Sequence, residues 1–304
     1  MRLIRSGPHD SPARVDGPSR APLRIGVVQH RWRADAGELQ DALLGGIGQA
    51  AAEGAQIVFL PELTLSRYPA FEAPRGVPVE AAEDLTTGPT VTFAAEAARK
   101  FGIPVHASLY EKEDLGDGLG YNTAILVDPD GRLVARTRKT HIPVTEGYVE
   151  DKYFRPGPAG DAYPVHHVAG AGLGLPTCWD EWFPEVARLY ALGGADLLAY
   201  PTAIGSEPDH PRFDTQPLWQ QVIVGHAIAN GLFIAVPNRT GDEGRIRFYG
   251  SSFIADPYGR ILAQAPRDEE AVLVADLDLD QRRDWLTLFP FLTTRRPETY
   301  GGLA

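Results

Sequence analysis

The chain has 304 residues, 43% hydrophobic and 23% charged, and its 40 acidic against 29 basic side chains give a formal net charge of −11. That apolar share supports a folded core and excludes wholesale disorder, while an acidic chain without basic runs suits neither nucleic acid nor anionic lipid. A single cysteine, Cys178, excludes an intramolecular disulfide and a cysteine-built zinc cluster.

Residues 1–22 carry Pro8, Pro12, Pro18 and Pro22 among polar residues and contain no apolar signal-like run, so they read as a disordered arm. No apolar run approaches the roughly 20 residues that span a bilayer, and a cytoplasmic protein is expected. A strand is expected over Leu23–Gln29, then a helix whose apolar face carries Leu39, Leu43, Ile47 and Ala51. Ile57–Leu60 reads as a short buried strand stopped by Pro61. A helix over Thr90–Phe101 precedes a strand over Ile103–Leu109. Strands Thr123–Val127 and Leu133–Thr137 are joined by Asp128-Pro-Asp-Gly131, which is turn chemistry.

Further strands are expected at Leu173–Thr177, Leu197–Tyr200, Phe233–Pro237, Ser251–Ala255, Ile261–Ala265 and Ala271–Leu277. Pro184 suits the first turn of a helix running to Leu192, and Trp219–Asn230 carries one apolar stripe. Strands and helices interleave without a linker, so residues 23–304 read as one α/β domain, and its hairpin-type pairs imply a partly antiparallel sheet.

Several signals favour ordinary structure. Gly170-Ala-Gly-Leu-Gly174 runs into an apolar stretch and Pro176 rather than opening a helix, so it is not a dinucleotide loop. His166 and His167 sit on an alternating strand with no converging ligands, and His226 lies on an apolar helix face. The run Glu111 to Asp117 reads as a solvated loop.

Three positions share a different feature: each directly follows a strand. Glu62 follows Ile57–Leu60, Lys139 follows Leu133–Thr137, and Cys178 ends Leu173–Thr177. Open α/β sheets place ligands at such strand ends. The helix expected after Cys178 would lower its thiol pKa and favour an oxyanion. A thiol, a carboxylate base and a cation form a workable set for acyl transfer.

Phe59-Leu-Pro-Glu62, Arg138-Lys139-Thr-His-Ile-Pro143 and Cys178-Trp-Asp-Glu-Trp-Phe-Pro-Glu185 resemble, in that order, the three signature blocks of the nitrilase (carbon–nitrogen hydrolase) superfamily. The resemblance covers about Leu23 to Gly301. Within the superfamily it is nearest to the N-carbamoylputrescine amidases, through Glu150–Gly157, Tyr200–Pro208, Asn238-Arg239 and Phe248–Pro257. Thr177 and Pro176 depart from the aliphatic strand usual before the cysteine. Glu181 stands where many such amidases have Gln.

The resemblance implies a single-domain, four-layer α-β-β-α sandwich, a Glu62–Lys139–Cys178 triad with Glu150 nearby, no cofactor or metal, and homodimers or larger assemblies. It also implies hydrolysis of a linear ureido or amide C–N bond. Trp179, Asp180, Glu181 and Trp182 follow the cysteine; the Trp179 N–H is expected at the oxyanion, and acids beside tryptophan faces suit a cationic amine tail. N-carbamoylputrescine is therefore the expected substrate. A ureidopropionase-like carbamoylase, an aliphatic amidase and a catalytically silent superfamily member are the alternatives.

Overall fold

The computed structural model describes residues 1–113 and 115–303. It begins with β1 (Arg2–Ser6), β2 (Leu23–Gln29), α1 (Ala36–Ala52), β3 (Ile57–Phe59), α2 (Pro89–Phe101), β4 (Val105–Glu111), β5 (Tyr121–Val127) and β6 (Leu133–Arg138). The short strands β7 (Val144–Thr145) and β8 (Tyr148–Val149) pair with each other, followed by β9 (His166–Val168), β10 (Ala171–Gly174), α3 (Pro184–Leu192) and β11 (Leu197–Ala199). Then come α4 (Gln216–Asn230), β12 (Phe233–Val236), the hairpin β13 (Thr240–Asp242) with β14 (Arg247–Tyr249), β15 (Phe253–Ala255), β16 (Ile261–Gln264), β17 (Ala271–Leu277) and α5 (Asp280–Leu288).

Two mixed sheets dominate, ordered β1-β17-β2-β3-β4-β5-β6 and β16-β15-β12-β11-β10-β9. Side-chain alternation along β2 shows how they stack. Leu23, Ile25 and Val27 pack against Leu173, Leu197 and Ala235 of the other sheet, while Val28 turns outward to Leu43 and Ile47 of α1. On the opposite outer face, α3 and α4 bury Tyr190, Trp219 and Ile223 over Leu198 and Ile234. The result is helix, sheet, sheet, helix: the expected four-layer sandwich. Each fully buried Leu, Ile or Phe contributes about 1.5–3 kcal/mol. Gly26 lets α1 approach, because a Cβ there would stand 2.7 Å from the Ala50 Cβ.

The antiparallel pairs β4/β5, β5/β6 and β15/β16 supply the expected hairpin character, and β17 pairs antiparallel with the distant β2. Gly131 closes the β5–β6 turn at φ +78, with its N–H bonded to the Asp128 carbonyl. Asp35 caps α1 by accepting from the Glu38 N–H at 2.9 Å. The stripe expected on α4 is buried at Trp219, Ile223, His226, Ala227 and Asn230, and Pro217 starts the helix one turn earlier. On α1 the core residue is Ala50, with Ala51 at the margin.

Other differences have identifiable causes. The segment 1–22, expected to be disordered, is pinned: β1 pairs in parallel with β17, and Arg14 and Arg20 form ion pairs with Asp284 and Asp196 at 2.9 and 2.7 Å. Its charges have specific partners on the domain, which composition alone does not reveal. β10 stops at Gly174 rather than Thr177, because Pro176 has no N–H for the ladder. Glu111 ends β4 and is buried against Arg138, and Asp117 holds Arg155; Asp114 of that run lies outside the described residues.

Candidate active site

β3 and β6 run the same way and finish at the same end of the first sheet, and β10 ends beside them in the second. The turns that follow bring Glu62, Lys139 and Cys178 together with Glu150, from the short turn after β8. Lys139 Nζ lies 3.0 Å from Glu62 Oε1 and 2.7 Å from Glu150 Oε2, all three side chains being buried. Asn122 Nδ2 donates to the same Glu62 oxygen at 2.7 Å, and Tyr68 OH donates to Glu150 Oε1 at 2.9 Å. Glu62 Oε2 has no hydrogen-bond partner among the described residues. The ion pair and Asn122 therefore fix one oxygen of this carboxylate and leave the other available.

The local field follows from burial and crowding. Burial opposes the Lys139 charge, but Glu150 and Glu62 outweigh it and hold the amine well above its ordinary value. Burial, against the pull of Lys139, pushes Glu150 up to about 7. The Cys178 thiol is also driven well up, first by burial and then by the Glu62 carboxylate, with Lys139 opposing. This reverses the expectation of a thiol lowered by a helix terminus. Cys178–Trp182 is only a 3₁₀ turn, α3 starts at Pro184, and burial, with the nearby carboxylates, prevails. Cys178 itself sits at φ +41, in the left-handed region, with its N–H bonded to the Pro201 carbonyl.

The 3₁₀ turn also sorts the residues that follow. At three residues per turn, positions i and i+3 share a face. Trp179 and Trp182 accordingly both line a cleft of about 500 Å³ together with Cys178 and Glu150, their ring centroids 6.2 Å apart. Asp180 and Glu181 point elsewhere, which corrects their assignment as substrate-facing acids. Asp180 is 1% exposed and accepts from the Thr177 and His141 N–H groups and from His141 Nδ1. Glu181 is fully buried, accepting from Trp219 Nε1 at 2.7 Å, and burial drives its carboxyl well up.

Besides Glu150, the acids that line the cleft are Glu146, Glu207 and Asp209, with His210 beside them and Phe213 and Leu218 among the apolar walls. Glu146 pairs with Arg245; Glu207 accepts from Thr215 Oγ1 at 3.1 Å, and burial raises its carboxyl. Among the described lining residues none is Lys or Arg. The sequence reading missed these acids together with Tyr68 and Asn122. Glu207 stands between Ser206 and Pro208 in a quoted block, and Asn122 is a polar residue opening an apolar strand; Tyr68 carries no such signal. His166 and His167 remain on β9, His226 Nε2 donates to the Glu181 carbonyl, and no group of three or more His, Cys, Asp or Glu among the described residues could hold a metal ion. Nor is any described helix long and apolar enough to cross a membrane.

The family model for carbon–nitrogen hydrolases matches residues 24–286. A citrullinase of Francisella tularensis subsp. tularensis is 38% identical over 287 residues, covering 92% of this chain and 97% of that protein. An N-carbamoylputrescine amidase of Arabidopsis thaliana is 37% identical over 262 residues, covering 84% and 86%. The crystal structure of a carbon–nitrogen hydrolase from Helicobacter pylori G27 superposes with a TM-score of 0.82 at 32% identity, covering 93% of this chain and 98% of that one.

Proposed function

Because the chain belongs to the carbon–nitrogen hydrolase family, we propose that it hydrolyses the ureido C–N bond of a linear substrate with a cationic amine tail, N-carbamoylputrescine first among them. The supporting observation is the cleft itself. Cys178 shares it with two tryptophan faces and four carboxylates, with no lining Lys or Arg to receive a substrate carboxylate. An alkyl ammonium suits acids and indole faces together.

In the proposed reaction Cys178 Sγ attacks the ureido carbon while Glu62 takes the thiol proton. A thiol held neutral by its surroundings calls for such a base at the moment of attack rather than a standing thiolate. A positioned general base is worth about 10²–10⁴-fold. The ammonium of Lys139 and the Trp179 N–H stabilise the oxyanion, and losing one such donor costs about 10²–10³-fold. The C–N bond then breaks, and the departing nitrogen receives the proton from Glu62. Water, deprotonated by Glu62, cleaves the resulting thiocarbamate; the thiol recovers its proton, and carbamic acid decomposes to carbon dioxide and ammonia. Glu150 orients Lys139 through its 2.7 Å contact. All of these groups belong to the chain, so the proposed chemistry involves no cofactor. The protein is read as a cytoplasmic homo-oligomer with a place in polyamine formation.

Citrulline is the second reading, favoured by the 38% identity to a citrullinase. It is placed second because its α-carboxylate finds no lining Lys or Arg. Ammonia release from N-carbamoylputrescine, citrulline and N-carbamoyl-β-alanine, with Cys178→Ala as the blank, decides between them. Preference for a carboxylate-bearing substrate overturns the amine reading, and activity retained in Cys178→Ala overturns the mechanism.

A further inference from the structure

The turn that carries Glu62 does not hold itself. Leu63 sits at φ +49, a left-handed conformation that an L side chain adopts at a cost. What braces the turn comes from a distant part of the chain. Arg239, fully buried just after β12, aims Nη2 at the carbonyls of Glu62, Leu63 and Ser66, at 3.1, 2.9 and 2.8 Å. Its Nη1 donates to Glu243 Oε1 at 2.7 Å, and Glu243 Oε2 accepts the Tyr68 N–H at 3.0 Å. One buried ion pair therefore grips residues 62–68 at both ends. That span supplies Glu62 and Tyr68, which contact Lys139 and Glu150 respectively.

We propose that Arg239, held by Glu243, is a positioning residue that fixes the 62–68 turn and thereby places the Glu62 carboxylate against the Cys178 thiol. The inference rests on the proposed role of Glu62 as the base. Only a planar guanidinium can serve three carbonyls and a carboxylate from one side chain; a lysine ammonium is a compact point charge. Displacing a reacting group by about 1 Å can cost 10²-fold, so the effect belongs in kcat.

Glu243 lies in the β13–β14 hairpin, whose Arg245 pairs with Glu146 in the cleft wall and whose Arg247 N–H donates to Ser206 Oγ, next to Glu207. Base and substrate wall are thus braced by the same hairpin.

Cys178 is the only cysteine, so its alkylation by iodoacetamide reports on this thiol without any substrate. Rates would be measured against pH in the parent, Glu62→Gln, Arg239→Lys and Glu243→Gln, with kcat and KM measured in parallel and folding checked by near-ultraviolet circular dichroism. Since the Glu62 carboxylate raises the thiol, Glu62→Gln is expected to move the alkylation profile to lower pH. Arg239→Lys is expected to move it the same way, with kcat down about 10²-fold and KM within roughly threefold of the parent, a range small against that loss.

A folded Arg239→Lys with the parent profile and kcat, or with its loss confined to KM, overturns the proposal. A profile unmoved by Glu62→Gln overturns the base assignment instead. If Arg239→Lys does not fold, Glu243→Gln decides by the same criteria; failure of both to fold makes the pair a structural brace and overturns the positioning role.

Discussion

His106, on β4 beneath the Leu60–Glu62 turn, provides a quantitative test of how this interior responds to acid. The ring is fully buried, 5.5 Å from the Phe59 ring, and rests against the Leu60 carbonyl without a well-formed hydrogen bond. Burial is the main cause of its depressed pKa, lowered from 6.5 to about 3. A base whose folded pKa is depressed binds fewer protons folded than unfolded between those values. Its neutral burial therefore carries no penalty above pH 6.5, and stability is lost as pH falls from there towards 3. At pH 5 the unfolded ring lies about 1.5 units below its pKa, and at about 1.4 kcal/mol per unit the loss is about 2 kcal/mol.

His106→Phe removes that linkage. Its packing change, about 1–3 kcal/mol, is the same at every pH. Comparing parent with variant also cancels the opposite linkage of Glu150, whose raised pKa favours the folded state as pH falls. Urea unfolding followed by tryptophan fluorescence at pH 7.5 and 5 is expected to show the parent-minus-variant difference moving by about 2 kcal/mol in favour of His106→Phe. A difference constant to within about 0.5 kcal/mol would refute the reasoning, since it would place the folded pKa near the unfolded one.

Glu181→Gln should behave in the opposite sense: its folded carboxyl is raised, so parent stability falls as pH climbs above 4.5, and the variant should gain on the parent between pH 5 and 8 in the same unfolding assay. Asp180→Asn weakens the tie between the Cys178 turn and the Lys139 loop, and should lower stability by about 1–3 kcal/mol, read as a fall in Tm. Glu207→Gln should raise KM for N-carbamoylputrescine about tenfold while leaving an uncharged N-carbamoyl alkylamine unaffected, as steady-state kinetics would show. Deleting residues 1–22 removes Arg20 from Asp196, Ser19 from Asp280 and Arg14 from Asp284, along with the β1 pairing, and should lower Tm by several degrees, at roughly 2–4 °C per kcal/mol.

Strand position alone left Glu62, Lys139 and Cys178 each open to an ordinary structural reading; they were legible because each lies shortly past a strand within one of three ordered blocks that resemble the family's signature. The fate of Asp180 and Glu181 was not. It depends on whether residues 178–182 wind as a 3₁₀ turn or an α-helix, and one residue's rotation decides which face meets solvent. Asp180 and Glu181 beside the cysteine favoured an amine, but the acids available to it come from Glu146 and the 207–209 segment, brought in by tertiary folding. The arm 1–22 shows the same limit. Its prolines argued against structure, whereas its arginines and serines have carboxylate partners hundreds of residues away.

The backbone under the sulfur has an implication for engineering. At φ +41 residue 178 occupies a conformation that glycine enters freely and cysteine does not, a difference of about 1–2 kcal/mol. That modest strain is held by the packing and hydrogen bonds around the turn. Relief of that strain by Cys178→Gly would be set against the cavity left by a buried side chain and would remove the thiol. A stabilised variant of this hydrolase has to be sought away from the elbow, with turnover scored at every step.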